Sequence, residues 1–286
     1  MLFPFLLRLA HAALATVVDA LFGQAEPQDF VNAIACNNHS MQIASLLRRK
    51  KGARKIVGNS QANLRAMSVV QLHAELIFAE SLVLKSMLGI LYAGDALALV
   101  RHALDLRNGY FLHREMLKFV EWLDAEQEQA SILASTKSNT RTVRVIDQDF
   151  RSGVYLGNGL SSLVLSFLPA GMLKVMEKFG FVGDRKLALD LFQRAGGWSK
   201  QKPLPTISTD EEGVRRPLCD IAIMTYHLMI SAYVPITDID IDMGDKILSW
   251  NLVRFPHGIF FLYFSARLYG TQALPEKAIE YVSACK

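Results

Sequence analysis

The feature that most constrains this chain is the period of its hydrophobic residues. Almost every segment repeats its apolar positions at the three-to-four-residue spacing of one helix face. None alternates convincingly with the period of two that a half-buried strand requires. Phe3, Leu7, Ala10, Leu14, Val17 and Leu21 alternate spacings of four and three, with Arg8, His11 and Asp19 off the stripe. That pattern predicts an amphipathic helix facing a core. It differs from a secretory signal, because no positive n-region precedes the apolar run and Arg8 and His11 interrupt it.

Carried along the chain, the same reading predicts helices over 29–47, 62–92, 95–106 and 111–134. The basic run RRKKGARK, Arg48 to Lys55, reads as a solvated loop between two of them. Residues 135–148 form a polar linker between two helical halves of a single domain spanning 1–286. Asp184 is placed to cap a helix over DRKLALDLFQRA, which Gly196-Gly197 stops. Ser208, with Glu211 three residues on, reads as a capping box. Further helices are predicted over 213–234, 241–254, 257–270 and 275–286. At most a stray short strand is expected, in 136–148 or 199–209. The predicted fold class is all-α, with tetratricopeptide-like helix–turn–helix repeats forming an α-solenoid. Ala266, Tyr269, Ala278, Val282 and Cys285 give such a repeat its small and large residues at matching offsets. Ala96, Val100 and Ala103 repeat part of the pattern.

With 51% of residues hydrophobic and 20% charged, much of the chain must be buried against itself, a partner or lipid. A net charge of +4 gives no reason to expect a nucleic-acid partner. Cys36, Cys219 and Cys285 lie far apart and form no C-x-x-C, which argues against a disulfide framework or a zinc site.

One stretch admits three readings: GVYLGNGLSSLVLSFLPAG, residues 153–171. From Ser152 to Leu173 there is no charge, a length that can span a bilayer. Yet Pro169 would split a spanning helix, and Asn158, Ser161, Ser162 and Ser166 recur at helical spacing as a less apolar face. Gly157-Asn158-Gly159 resembles a dinucleotide fingerprint, with Glu177 at the place of the ribose acid. The third glycine is replaced by Ser162, however, and no strand precedes it. Two packed helices, broken near Pro169 and buried in protein, explain the run best.

Other motifs fail on spacing. Asp238, Asp240 and Asp242 mimic the start of a calcium loop, but Met243 and Ser249 stand where glycine and glutamate are needed. Glu75 and Glu80 lack the Glu-x-x-His partners of a di-iron bundle, and His73 forms no H-E-x-x-H. Salt bridges suit these carboxylates. The sequence offers no catalytic, cofactor-binding or metal-ligating residue.

Several segments nonetheless resemble one family. The most specific is GVYLGNGLSSLVLSFLPAGMLKVMEKFGFVGDRKLALDLFQRAGGW. AELIFAESLVLKSML, EEGVRRPLCDIAIMTYHL and ILSWNLVRFPHGIFFLYFSARL agree in order. They resemble the fungal inclusion-body clearance proteins and their animal relatives, the tetratricopeptide repeat 39 proteins, over residues 15–286. The resemblance implies a non-catalytic helical-repeat adaptor without cofactor. It implies protein partners, lipid-droplet proteins among them, and a role in clearing misfolded-protein inclusions. It places the chain in cytoplasm and nucleus, and also at the mitochondrial outer membrane. Family members continue beyond Lys286, so the repeat array is expected to be incomplete at the C-terminus, with an apolar flank of the last helix, around Tyr281, Val282 and Cys285, left uncovered. The competing expectation is a peripheral or integral membrane protein using residues 1–22 and 152–173. A helical-bundle enzyme comes third.

Overall fold

The computed structural model describes residues 8, 12–17, 26–48, 60–92, 95–136, 144–234 and 238–284. Among them there is no strand, so the all-α expectation holds. The helices are α1 (Pro27–Arg48), α2 (Ser60–Ala66), α3 (Val69–Tyr92), α4 (Ala96–Thr136), α5 (Gln148–Ser166), α6 (Ala170–Lys178), α7 (Arg185–Gly196), α8 (Arg216–Met224), α9 (Ile241–Arg254), α10 (Ile259–Thr271) and α11 (Pro275–Ala284). A π turn, Thr225–Met229, and a 3-10 turn, Ile230–Ala232, prolong α8. Residues 49–55 of the basic run, residues 137–143 of the linker and Cys285 lie outside the described residues.

Two compact units emerge. The first comprises residues 1–150 and 174–181, the second residues 151–173 and 182–286. In the first unit α3 packs against both α1 and α4. This is why α3 is apolar almost all round, with Leu72, Ala74, Leu76, Ile77 and Ala79 all buried. Val17, from a helical segment at 12–17, joins Ala33 and Leu88 in the core, so the part of the N-terminal stripe that is described does face inward. The fully buried Asn37 donates to the Ala33 carbonyl at 2.9 Å and to Ala13 at 3.5 Å, tying that segment to α1.

Two boundaries differ from the sequence expectation. The helix predicted over 62–92 is interrupted at 67–68. Ser68 and Gln71 form a capping box there: the Ser68 N–H donates to Gln71 Oε1 at 2.9 Å, and the Gln71 N–H to Ser68 Oγ at 3.3 Å. Conversely, α4 runs unbroken through Arg107-Asn108-Gly109-Tyr110, where two helices were expected. Gly109 does not end the helix; it lets α3 approach. A Cβ there would sit 2.6 Å from Val83 Cγ2.

In the second unit, α7 starts on Asp184, whose side chain accepts from the Leu187 N–H at 3.0 Å, and ends on Gly197 at φ 64°. Both features match the sequence reading. At Gly197 a Cβ would meet Thr206 Oγ1 at 2.0 Å, so the loop can fold back only over glycine. The capping box at Ser208 does not start a helix. Ser208 and Glu211 close a turn, and α8 begins only at Arg216, with Pro217 in its first turn.

The stretch at 153–171 breaks where expected. α5 ends at Ser166 and α6 starts at Ala170, just after Pro169. Its covered face is mixed: Asn158 and Ser162 are buried together with Leu163 and Leu165, while Leu160 and Val164 are exposed. The polar side chains satisfy themselves on their own helix. Asn158 Nδ2 donates to the Val154 carbonyl at 2.8 Å, and Ser161 Oγ to Gly157 at 2.8 Å. Gly159 then lets Phe192 lie against the helix, 2.4 Å from where a Cβ would be. Burial stops at the break, for no residue of α6 is buried.

Candidate interaction surface

Of the residues singled out as candidate ligands, Glu75, His73 and Asp240 form structural pairs. Glu75 of α3 binds the Arg48 guanidinium of α1 through both its oxygens, and that guanidinium lies 3.9 Å from the Phe78 ring. His73 Nε2 lies 3.0 and 3.1 Å from the two oxygens of Asp147, which also accepts the Phe150 N–H at 2.8 Å to cap α5. Burial pushes the Asp147 carboxyl up, but these contacts outweigh it and hold it below its ordinary value. Asp240 caps α9, accepting from the Met243 N–H at 3.0 Å, and pairs with Lys200 at 2.7 Å. The Lys200 ammonium, more than any other group, holds the Asp240 carboxyl down. Asp238 and Asp242 make no metal cage with it. Among the described residues, no group of three or more His, Cys, Asp or Glu side chains is placed to hold a metal ion. The Cys219 thiol is buried and pushed well up by that burial, so it is a packing residue.

Sequence reasoning missed the polar centre of the second unit. Arg216 is fully buried against the edge-to-face rings of Trp198 and Trp250, with its guanidinium carbon 5.4 and 5.5 Å from their centroids. Its Nη1 donates to the Ile207 carbonyl at 3.0 Å and to Glu212 at 2.8 Å, and Arg254 grips the other oxygen of Glu212. Asp220, one turn beyond Arg216, accepts from Trp198 Nε1 at 2.7 Å and from Asn251 Nδ2 at 2.9 Å. Burial pushes its carboxyl up to about 6. The sequence signal was the i, i+4 spacing of Glu212, Arg216 and Asp220. This network joins the segment after α7 to α8 and α9, and Arg216, Asp220 and Asn251 at its centre are too deeply buried to meet a partner directly.

An accessible surface lies on the last hairpin. α10 and α11 pack antiparallel, with Tyr269 and Tyr281 stacked 5.4 Å apart and Lys277 over the Tyr269 ring. The small residues Ala266 and Ala278 let the helices close, as the repeat spacing required. Beside them opens a groove of about 290 Å³, lined by Tyr263, Ala266, Arg267, Ala278, Ile279 and Val282. Ile279 is 64% exposed and Val282 56%, which leaves apolar surface open beside the groove. Arg267 is the charged residue in this lining. Its guanidinium faces the Tyr233 ring, and its buried Nε makes no hydrogen bond among the described residues.

A helical hairpin with small residues at its crossing and an open apolar groove beside it is the unit from which tetratricopeptide arrays are built. The Iml2/Tetratricopeptide repeat protein 39 family matches residues 6–286. The chain belongs to this family. It is similar to a curated protein of Caenorhabditis elegans, "Tetratricopeptide repeat protein ttc-39B", at 24% identity over 254 residues. That alignment covers 89% of this chain and 40% of the relative, so the chain spans well under half of the relative's length. No solved structure matches it. Membership of the Iml2/tetratricopeptide repeat 39 family agrees with the resemblance carried by residues 153–198. It makes the chain a helical-repeat protein, of a kind that in general mediates contacts between proteins.

Proposed function

We propose that this chain is a non-catalytic helical-repeat adaptor whose α10–α11 groove grips an apolar helical segment of a protein partner. The observation that carries this is the exposure of Ile279 and Val282 around a groove narrowed by Ala266 and Ala278. Such a groove suits a helix that presents apolar residues at i, i+3 and i+4, and a carboxylate on that helix would complete Arg267. In the finer reading, also a proposal, the partners include lipid-droplet proteins and the adaptor serves the clearance of misfolded-protein inclusions in the cytoplasm. What supports it is the family to which the chain belongs together with this groove.

The test is a fungal cell lacking its own copy of the gene and carrying a fluorescent misfolded reporter. The parent chain is expected to restore clearance. A variant with Ile279→Glu and Val282→Glu, present at the same soluble level, is expected to leave inclusions standing. Equal clearance by both would remove the groove from the function. No clearance by the parent would remove the inclusion reading.

A second reading rests on α6. Among the described residues no helix is long and apolar enough to cross a membrane, and the uncharged stretch at 152–173 is divided between α5 and α6. Yet Met172, Val175 and Phe179 are exposed along one side of α6, with Lys174 and Lys178 on the other. That arrangement fits an interfacial helix lying on a lipid surface. Release of the chain from droplet or mitochondrial membranes by carbonate, and retention when Val175 and Phe179 are intact but not when both are Asp, would favour it.

A further inference from the structure

Residues 206–212 read TISTDEE. Ser208 and Thr209 each have an acid three residues on, Glu211 and Glu212. To a kinase that chooses its hydroxyl by a carboxylate at that distance, the sequence presents two acceptors, and Thr209 has the denser run of acid behind it. The fold separates them. Ser208, Thr209, Asp210 and Glu211 are all exposed, in a stretch from 197 to 215 that holds neither helix nor strand. Glu212 is withdrawn from that surface. Its carboxylate is shared between Arg216, at 2.8 Å, and Arg254. Pulling it away would leave the guanidinium of Arg216, whose side chain is wholly buried, without its carboxylate at that end. The acid that would recommend Thr209 is therefore occupied. The acid that recommends Ser208 is exposed, and its Oε2 meets the Ser208 hydroxyl at 3.3 Å.

We propose that Ser208 is a phosphorylation site for an acidophilic serine/threonine kinase and that Thr209 is not. In the step, Ser208 Oγ forms a bond to the γ-phosphorus of Mg·ATP. The bond from that phosphorus to the bridging oxygen breaks, ADP leaves with the electron pair, and the serine proton passes to the kinase's catalytic carboxylate. The new phosphate then lies against Glu211, where the hydroxyl had bonded its carboxylate. Two anions in that place repel, and the Ser208–Glu211 turn opens immediately before the residue that anchors Arg216.

The test sets the folded 286-residue chain beside a synthetic peptide of residues 203–214. Each is treated with a purified kinase of the casein kinase 2 type and Mg·ATP, and the phosphate is mapped by tandem mass spectrometry. In the peptide both acids are free, and phosphate is expected on Ser208 and Thr209 alike. In the folded chain it is expected on Ser208, favoured over Thr209 by about tenfold or more, since a charge-assisted contact is at stake. Glu211→Gln should lower incorporation into the folded chain by a similar factor, and Ser208→Ala should abolish it. Thr209→Ala should leave it unchanged. The same division of phosphate in chain and peptide would overturn the proposal, as would a folded chain that stays unlabelled.

Discussion

The buried polar residues of the second unit do two things: they bond the segment after α7 to α8 and α9, and they make stability depend on pH. Asp220 has no exposed surface, and burial raises its carboxyl from an ordinary 3.8 to about 6 despite its bonds from Trp198 and Asn251. A carboxyl raised on folding binds its proton more readily in the folded state than in the unfolded chain. Its stabilising contribution is full below pH 3.8, falls as pH rises through 6, and is gone above that. Asp220→Asn cannot ionise. Between pH 4 and pH 7 the parent is therefore expected to lose ground to the Asn variant by up to ~3 kcal/mol. Urea unfolding of both proteins at several pH values checks this. A gap that widens in the parent's favour as pH rises would mean that attraction to Arg216 Nε, 3.8 Å from the Asp220 carboxylate, outweighs burial. The i, i+4 spacing of Glu212, Arg216 and Asp220 stood in the sequence, but their pairing and depth did not. Charges at that spacing usually mark a solvated face, and only the indoles of Trp198 and Trp250, brought in from distant positions, made them a core.

Among the helices, glycine shows how much one residue's meaning depends on what packs beside it. Gly109 sits inside α4 facing Val83, whereas Gly171, inside α6, has nothing within 4 Å of where a Cβ would be. Alanine is the better helix former at both positions by about 1 kcal/mol. Gly171→Ala should therefore raise the melting temperature. Gly109→Ala must push α3 and α4 apart and is expected to cost about 1–3 kcal/mol net. Thermal unfolding followed by circular dichroism reads both, and equal gains would show that Val83 rotates out of the way. The helix ends with local chemistry, Asp184, Gly197 and the Pro169 break, were legible because a cap or a stop acts within one turn. The Ser68–Gln71 box was equally local and was hidden by the continuous apolar run on either side. The continuity of α4 was not legible, since Arg107-Asn108-Gly109 reads as a turn until α3 lies against it.

Across the whole molecule, apolar surface is left over. Leu97, Val100 and Leu104 are exposed at the start of α4, and Ile259, Ile279 and Val282 on the last hairpin. Exposed residues of this kind drive association when nothing covers them. Light scattering on the parent chain is expected to show concentration-dependent self-association, and Ile279→Lys with Val282→Lys to reduce it without lowering the melting temperature. Scattering unchanged by the substitutions would place the contact elsewhere, with Leu97 and Leu104 the next to change. By itself the sequence determined the helical class, most caps and the family, because hydrophobic period, capping chemistry and a long gapless likeness are all written in the order of residues. The tertiary structure alone decided which face is covered where the local period is ambiguous, as in α5. Asn158 went inward and Leu160 outward because Gly159 lets the Phe192 ring lie against that side of α5, and a partner on another helix leaves no mark on the local period.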